Sequence, residues 1–175
     1  MIGGHCSHPF PKANIYSIEK NTWVKVIDTP TARSYHTSII YKNNYIITFG
    51  GMGVYNASRK CRECFNSISL IDLKTQSSKI IKMINEESVE PRRSHSATLM
   101  GKYMVIFGGM NTKKEFLNDL VYLDIKDLRW SHKEYKIESK ELEAYLGSGL
   151  AKHQAVMHFR PRKSYPFYHV DYTEQ

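Results

Sequence analysis

Residues 103–110 read Tyr-Met-Val-Ile-Phe-Gly-Gly-Met, an apolar run that ends in two adjacent glycines. The run has the length of a β-strand, and glycine takes backbone angles that other residues resist, so the pattern predicts a strand that ends in a tight turn. The same ending occurs at Phe49-Gly50-Gly51-Met52, and a shorter version, Ile2-Gly3-Gly4, lies at the start of the sequence. The two full copies lie about 58 residues apart, a period that indicates a repeat architecture.

An arginine and a histidine precede each full glycine pair at a fixed spacing. Arg33 and His36 precede the first pair, and Arg92 and His95 precede the second. A further copy begins at His153, again about 58 residues on. Each copy contains four short apolar segments separated by turn residues. Four strands in each period are typical of a β-propeller blade.

This pattern resembles the kelch-repeat family. The resemblance rests on the Arg-x-x-His start, the strand ending in Gly-Gly, Tyr122 two residues before Asp124, and Trp130 six residues after that aspartate. It covers about residues 1–159. Two family positions differ in the first full copy, where Leu70 replaces the tyrosine and Ser78 replaces the tryptophan. The resemblance implies an all-β propeller.

The predicted fold is therefore a kelch-type β-propeller with two complete four-stranded blades and a partial blade at each end. The predicted units are a partial repeat at 1–27, complete repeats at 28–87 and 88–149, the start of a further repeat at 150–170, and a tail at 171–175. Within the first complete repeat, residues 52–66 are expected to form a long loop. The Glu, Lys, Ala and Leu content near 139–146 predicts one short helix in the connection to the last unit.

The repeats account for about three blades, whereas propellers have about four to eight. Three blades would each have to span about 120°, which leaves a hollow core with lost packing contacts. Two explanations are open: the chain is a piece of a longer protein, which is the preferred interpretation, or two copies associate to complete a propeller.

Composition limits the cellular setting. The net charge is +8 and the basic residues are dispersed, which favours solubility and also suits acidic partners. No apolar run near the start has the character of a signal peptide, and none is long enough to span a membrane. Three cysteines are an odd number for a secreted disulfide framework. The sequence predicts a cytoplasmic protein, and the resemblance adds cytoskeletal association as one setting.

Two groups of residues could hold a metal ion, although packing roles are the preferred interpretation of both. Cys61 and Cys64 have zinc-ligand spacing, and the missing second pair could come only from an N-terminal loop that contains His5, Cys6 and His8. The repeated histidines His36, His95 and His153 could point at one axis, but a position that recurs in every repeat usually serves the packing of the repeat itself. No metal site and no cofactor are predicted.

Loops on one face of the propeller are the predicted functional surface. Strands alternate in direction, so the strand two–three loops and the strand four–one connections emerge together. Basic and aromatic residues in these loops suit an acidic peptide segment. The predicted contact residues are Tyr55, Arg59, Lys60, Arg62, Phe65, Lys113, Lys114 and Phe116.

The resulting functional hypothesis is a non-catalytic scaffold or adaptor that binds a protein partner, as the kelch resemblance implies. No nucleophile motif or acid–base pair with supporting context is visible. Two alternatives are kept: a metal-dependent, oxidase-like kelch enzyme, and a nucleic-acid-binding module that uses the basic loops.

Overall fold

The computed structural model describes residues 2–4, 9–135, 140, 143, 149–158 and 167–171. Within these ranges the chain forms fourteen strands. They are β1 (Lys12–Ser17), β2 (Thr22–Asp28), β3 (Thr37–Tyr41), β4 (Tyr45–Phe49), β5 (Met52–Asn56), β6 (Cys61–Cys64), β7 (Ile68–Asp72), β8 (Ser77–Ile81), β9 (Ser96–Met100), β10 (Tyr103–Phe107), β11 (Leu120–Asp124), β12 (Arg129–Lys133), β13 (Gln154–His158) and β14 (Phe167–Asp171). No helix in the described ranges is both long and apolar enough to cross a membrane.

Two antiparallel four-stranded sheets form the centre of the fold. One has the order β3-β4-β7-β8, and the other follows the same path with β9-β10-β11-β12. In both sheets the residue before the glycine pair faces the first residue of strand three: Phe49 pairs with Ile68, and Phe107 pairs with Leu120. The two complete blades predicted from the sequence are confirmed.

A two-stranded sheet lies at each end. β1 pairs with β2, and Ile2 bridges to Ala13 at the place where Phe49 meets Ile68 in the next blade. This register identifies β1 and β2 as strands three and four of a blade. β13 begins directly after His153 and pairs with β14, so these are strands one and two. Partial blades at both ends are confirmed.

The stretch predicted as a long loop at 52–66 is instead largely a β-hairpin. β5 and β6 are antiparallel, with Tyr55 opposite Arg62 and Asn56 opposite Cys61. The Asn56 side-chain Oδ1 accepts a hydrogen bond from the Arg59 backbone N–H at 3.1 Å, which closes the turn. The loop prediction was wrong because a local side-chain cap and a short pairing register give this polar segment its own regular structure.

The predicted helix near 139–146 lies mostly outside the described residues. Residues 140 and 143 are described, and both have helical conformation. Of the predicted tail at 171–175, residue 171 belongs to β14 and the rest lies outside the described residues.

The main hydrophobic core lies between the two complete blades. Ile47, Phe49 and Ile68 from the first blade pack against residues of the second that include Met104 and Trp130. The Phe49 and Trp130 rings lie 5.0 Å apart between centroids. Burial of these large apolar side chains between facing sheets is the main force that holds neighbouring blades together.

Candidate interaction surface

The glycine pairs form the junctions between blades. Gly50 has a φ of +66°, and a Cβ there would lie 2.7 Å from both the Arg92 carbonyl oxygen and His95 Cε1 of the next blade. The Gly51 N–H donates a 2.8 Å hydrogen bond to the same carbonyl. Gly108 meets Leu150 and His153 in the same way. The first glycine is therefore required for the close approach of one blade to the next.

The repeated histidines connect neighbouring blades. His95 Nε2 lies 2.7 Å from the Thr37 hydroxyl of the preceding blade, and His153 Nε2 lies 2.9 Å from the Ser96 hydroxyl. Each histidine thus bonds to the first residue of strand one in the blade before it. This agrees with the packing role that the recurrence predicted. Among the residues that the structure describes, no three His, Cys, Asp or Glu side chains are grouped closely enough to hold a metal ion.

Burial holds these imidazoles in the neutral state. It lowers the pKa of His95 to about 3, with a further contribution from the positive charge of Arg92. Burial and then the charge of Arg33 lower the pKa of His36 to about 4. The pKa of His153 is also lowered, again by burial. Protonation at these positions is therefore coupled to the unfolding of the blade junctions.

Stability is expected to fall as the pH drops below about 6.5. The unfolded chain binds a proton at each histidine there, whereas folded His95 stays neutral down to about pH 3. A His95→Gln variant should therefore lose roughly 1 kcal/mol less than the wild type between pH 7 and pH 5.5. Urea unfolding at the two pH values measures the difference. Thr37→Val is the control: it removes the hydrogen-bond partner but keeps the imidazole, so its pH slope should match the wild type, and a flat wild-type profile would contradict the prediction.

The repeated arginines pair within their own blade. Arg92 is fully buried, donates to Gly108 O at 3.0 Å, and forms two hydrogen bonds of 2.6 and 2.7 Å with the Asp119 carboxylate. Arg33 makes the matching contact with Gly50 O, but Ser67 takes the place of the aspartate. Burial without a carboxylate partner lowers the pKa of Arg33 to about 10. Contacts of these arginines across the junction are made by the backbone, as in the hydrogen bond from the Gly51 N–H to the Arg92 carbonyl.

The β5–β6 hairpin lies against the next blade. The Cys64 N–H donates to the Thr112 hydroxyl at 3.0 Å, and the Phe65 carbonyl accepts from the Arg92 N–H at 3.0 Å. Asn66 Nδ2 donates to the Val89 carbonyl in the strand four–one connection at 3.0 Å. These contacts place the hairpin next to the loop that carries Lys113. We call this combination, residues 52–65 and 110–117, the hairpin face.

The predicted contact residues of the hairpin differ in exposure. Tyr55 and Lys60 are exposed, and Arg62 lies opposite Tyr55 in the hairpin register. Arg59 forms an ion pair with Glu63 in the same hairpin. Phe65 is half-buried: its ring lies 5.1 Å from the Arg33 guanidinium. Three of the five residues are therefore exposed, whereas Arg62 and Phe65 are partly buried and Phe65 also anchors the hairpin to the blade.

The predicted contact residues of the neighbouring loop are all exposed. Lys113 and Lys114 occupy its turn, and Phe116 is 55% exposed. Asn111 holds the base of the loop, since its Nδ2 donates to carboxylate oxygens of Glu90 and Glu115 at 2.6 Å each. These two glutamates are therefore occupied within the protein, and the lysine charges project from the turn. The structure thus brings the two groups of predicted residues side by side.

Comparison with known proteins agrees with this geometry. The family model described as "KLHDC2/KLHL20/DRC7 Kelch-repeats domain" matches residues 1–161 of this chain. The chain belongs to the kelch-repeat family. It is 28% identical over 130 residues to Kelch domain-containing protein 1 of Mus musculus, covering 63% of this chain and 31% of that protein. It is 38% identical over 63 residues to Acyl-CoA-binding domain-containing protein 5 of Arabidopsis thaliana, covering 36% of this chain and 10% of that protein.

The fold is similar to the solved structure of YjhT, with a TM-score of 0.63 and 15% sequence identity. The match covers 82% of this chain and 48% of the YjhT chain. This kelch-repeat chain therefore spans about a third of the mouse relative and about half of the solved structure that it matches.

The kelch blade places the cysteine pair in a strand, which bears on the zinc hypothesis. Side chains three residues apart in a strand point to opposite faces, so Cys61 and Cys64 are not arranged to chelate one ion. Cys64 is buried, and this burial raises the pKa of its thiol. The other proposed ligands, His5, Cys6 and His8, lie outside the described residues. The Cys64 thiol instead packs on the next blade, where it donates to the Met110 carbonyl oxygen at 3.8 Å.

Proposed function

We propose that this kelch-repeat chain is a non-catalytic interaction module that binds an acidic segment of a protein partner on the hairpin face. The observation that carries the proposal is the contact of Cys64 with the neighbouring loop. This contact brings basic and aromatic residues from two blades onto one continuous surface. The kelch family generally mediates protein interactions, which supports a scaffold or adaptor role. The cytoplasmic location stays a prediction from the sequence.

The charge arrangement on the hairpin face favours an acidic ligand. Lys60, Arg62, Lys113 and Lys114 form no ion pair among the described residues. By contrast, the glutamates nearby are engaged by Arg59 and Asn111. Across the hairpin face the five basic residues outnumber the two acidic residues, Glu63 and Glu115, so the surface has a net positive charge and a local positive potential. Such a potential attracts acidic segments and raises their association rate.

The aromatic residues add contact area to this charge. Tyr55 is 55% exposed and lies opposite Arg62, while Phe116 is equally exposed on the neighbouring loop. Aromatic side chains and arginine are enriched in protein interfaces. An acidic segment with an apolar or aromatic residue between its carboxylates would satisfy both features. The surface combines a β-hairpin with a loop at the edge of the blades, where binding residues are commonly found.

Charge reversal tests the proposal. A Lys60→Glu, Lys113→Glu, Lys114→Glu triple variant is expected to weaken binding of a labelled, tyrosine-containing oligo-glutamate peptide by about tenfold or more. The matched control is Lys42→Glu, Lys74→Glu, Lys126→Glu. These exposed or partly exposed lysines lie in turns on the opposite face and change the net charge by the same amount. Fluorescence anisotropy measures binding at low and at physiological salt.

Three outcomes of this experiment count against the proposal. In the first, the peptide does not bind the wild-type chain. In the second, both triple variants lose equal affinity, which would indicate a diffuse charge effect. In the third, a single-stranded oligonucleotide of similar charge binds much more tightly than the peptide, with the steep salt dependence of phosphate contacts. That result would favour nucleic-acid binding instead.

A further inference from the structure

Two tryptophans occupy the same blade position in very different environments. Trp23 and Trp130 are each the second residue of strand four, and each faces a residue of strand three, Tyr16 and Leu123 respectively. Trp130 is 1% exposed because it packs on Phe49 of the preceding blade. Trp23 is 57% exposed. In the second complete blade this side of the sheet packs on the preceding blade. In the N-terminal sheet the same side is open to solvent.

The open side is an apolar surface. Tyr16 and Val26 lie on it with Trp23, and they are 43% and 56% exposed. The Tyr16 and Trp23 rings contact each other edge to face, with centroids 5.2 Å apart. The opposite side of the same sheet is buried against the next blade through Ala13 and Ile27. We call the exposed side, formed by Tyr16, Trp23 and Val26, the open face.

The two partial blades of the chain are complementary. The N-terminal sheet supplies strands three and four, and the C-terminal sheet supplies strands one and two. In a complete blade strand two pairs with strand three over five residues, as β4 does with β7. Such a pairing would therefore join the outer edges of β1 and β14. Ile2 already bridges to Ala13 of β1, so it would compete with β14 at that one place.

We propose that a second copy of this chain covers the open face and that two copies close one propeller. The strand β14 of one copy would pair with β1 of the other, so that β13, β14, β1 and β2 form one four-stranded sheet, and symmetry makes two such composite blades. Together with the four complete blades this gives a ring of about six, inside the usual range.

The corresponding apolar cluster of the second complete blade is buried in the single chain, where Phe107 is 9% and Tyr122 is 7% exposed, so Trp23 of the second copy would replace part of its present cover. Phe107 holds the position of Phe49, before the glycine pair and opposite the first residue of strand three. It packs with Tyr135 at 5.9 Å between ring centroids, and Tyr122 lies in the same apolar cluster. In the closed ring Trp23 of one copy would pack near Phe107 of the other, as Trp130 packs on Phe49. The interface would repeat a contact that the chain already makes within itself.

The oligomeric state tests the proposal. The 175-residue chain is expected to sediment as a dimer of its 20.3 kDa subunit. Trp23→Asp should raise the dissociation constant at least about thirtyfold, because it places a charge at the centre of each of two symmetric contacts. Val54→Asp is the control: Val54 is similarly exposed at 53%, but it lies on the β5–β6 hairpin. Val26→Asp gives a second variant of the open face, and circular dichroism checks that all variants fold.

A monomeric wild-type chain at micromolar concentration would overturn the proposal. So would an open-ended series of larger oligomers, since a closed ring contains two copies. Equal dimer affinity in Trp23→Asp and Val54→Asp would show that another surface holds the copies together. The hairpin face is a separate surface, so peptide binding by the Trp23→Asp monomer would leave the proposed function intact.

Discussion

Replacing Gly50 with alanine is expected to lower the free energy of unfolding by about 3 kcal/mol or more. Gly50 has a left-handed backbone conformation, which costs an alanine about 1–2 kcal/mol. The added Cβ would also lie 2.7 Å from the Arg92 carbonyl and from the His95 ring. Neither neighbour is the end of a flexible side chain, so relief requires the two blades to separate and the core between them to loosen.

Gly101→Ala separates these two causes. Gly101, in the β9–β10 turn, has a similar φ of +58°, but no atom of the part of the chain that the structure describes lies within 4 Å of the point that a Cβ would occupy there. The Gly101→Ala variant should therefore lose only the free energy that the left-handed backbone conformation costs an alanine, about 1–2 kcal/mol. Urea unfolding of both variants measures the difference. Equal losses would show that the close approach at Gly50 contributes little, and would remove the account of the glycine pair as a blade junction.

The fold could be predicted because the repeat carries its own constraints. The bounds of β4 and β10 match the apolar runs in the sequence, since each run is stopped by a turn on one side and a glycine pair on the other. The direction of the Arg92 side chain was not predictable in the same way. Its partner Asp119 lies 27 residues away and has no equivalent carboxylate in the preceding repeat. A contact that differs between repeats leaves no periodic signal.

The candidate surface could be predicted only in part. Basic and aromatic loop residues were visible in the sequence, and alternating strand direction placed them on one face. The hairpin was missed because Gly53 interrupts the apolar pattern of β5 and charged residues occupy β6. One available signal was Asn56 followed by a short polar turn, which favours chain reversal. The exposure of Trp23 depends on which neighbour is present, and local sequence does not contain that information.

The buried arginine at the start of each complete repeat has different side-chain partners in the two repeats. Arg92 and Arg33 both have almost no exposure and both donate to the carbonyl of the first glycine in their blade. Among the described residues only Arg92 of the two has a carboxylate partner, and that partner, Asp119, is the residue that corresponds to Ser67. A buried charge without a partner is destabilising, so the two positions can be compared to measure how much this ion pair contributes to the free energy of unfolding.

Asp119→Ala is expected to lower the free energy of unfolding by about 3 kcal/mol, because it leaves the Arg92 guanidinium buried without a counter-charge. Ser67→Asp should act in the opposite direction and stabilise the chain by about 1 kcal/mol, since it supplies Arg33 with the missing carboxylate. Asp127→Ala, at an exposed turn position, is the control and should change stability by less than about 0.5 kcal/mol. Thermal and urea unfolding measure all three. If Ser67→Asp destabilised the chain as much as Asp119→Ala, desolvation of the new carboxylate would outweigh its attraction to the arginine, and the ion pair would not be what stabilises the second blade.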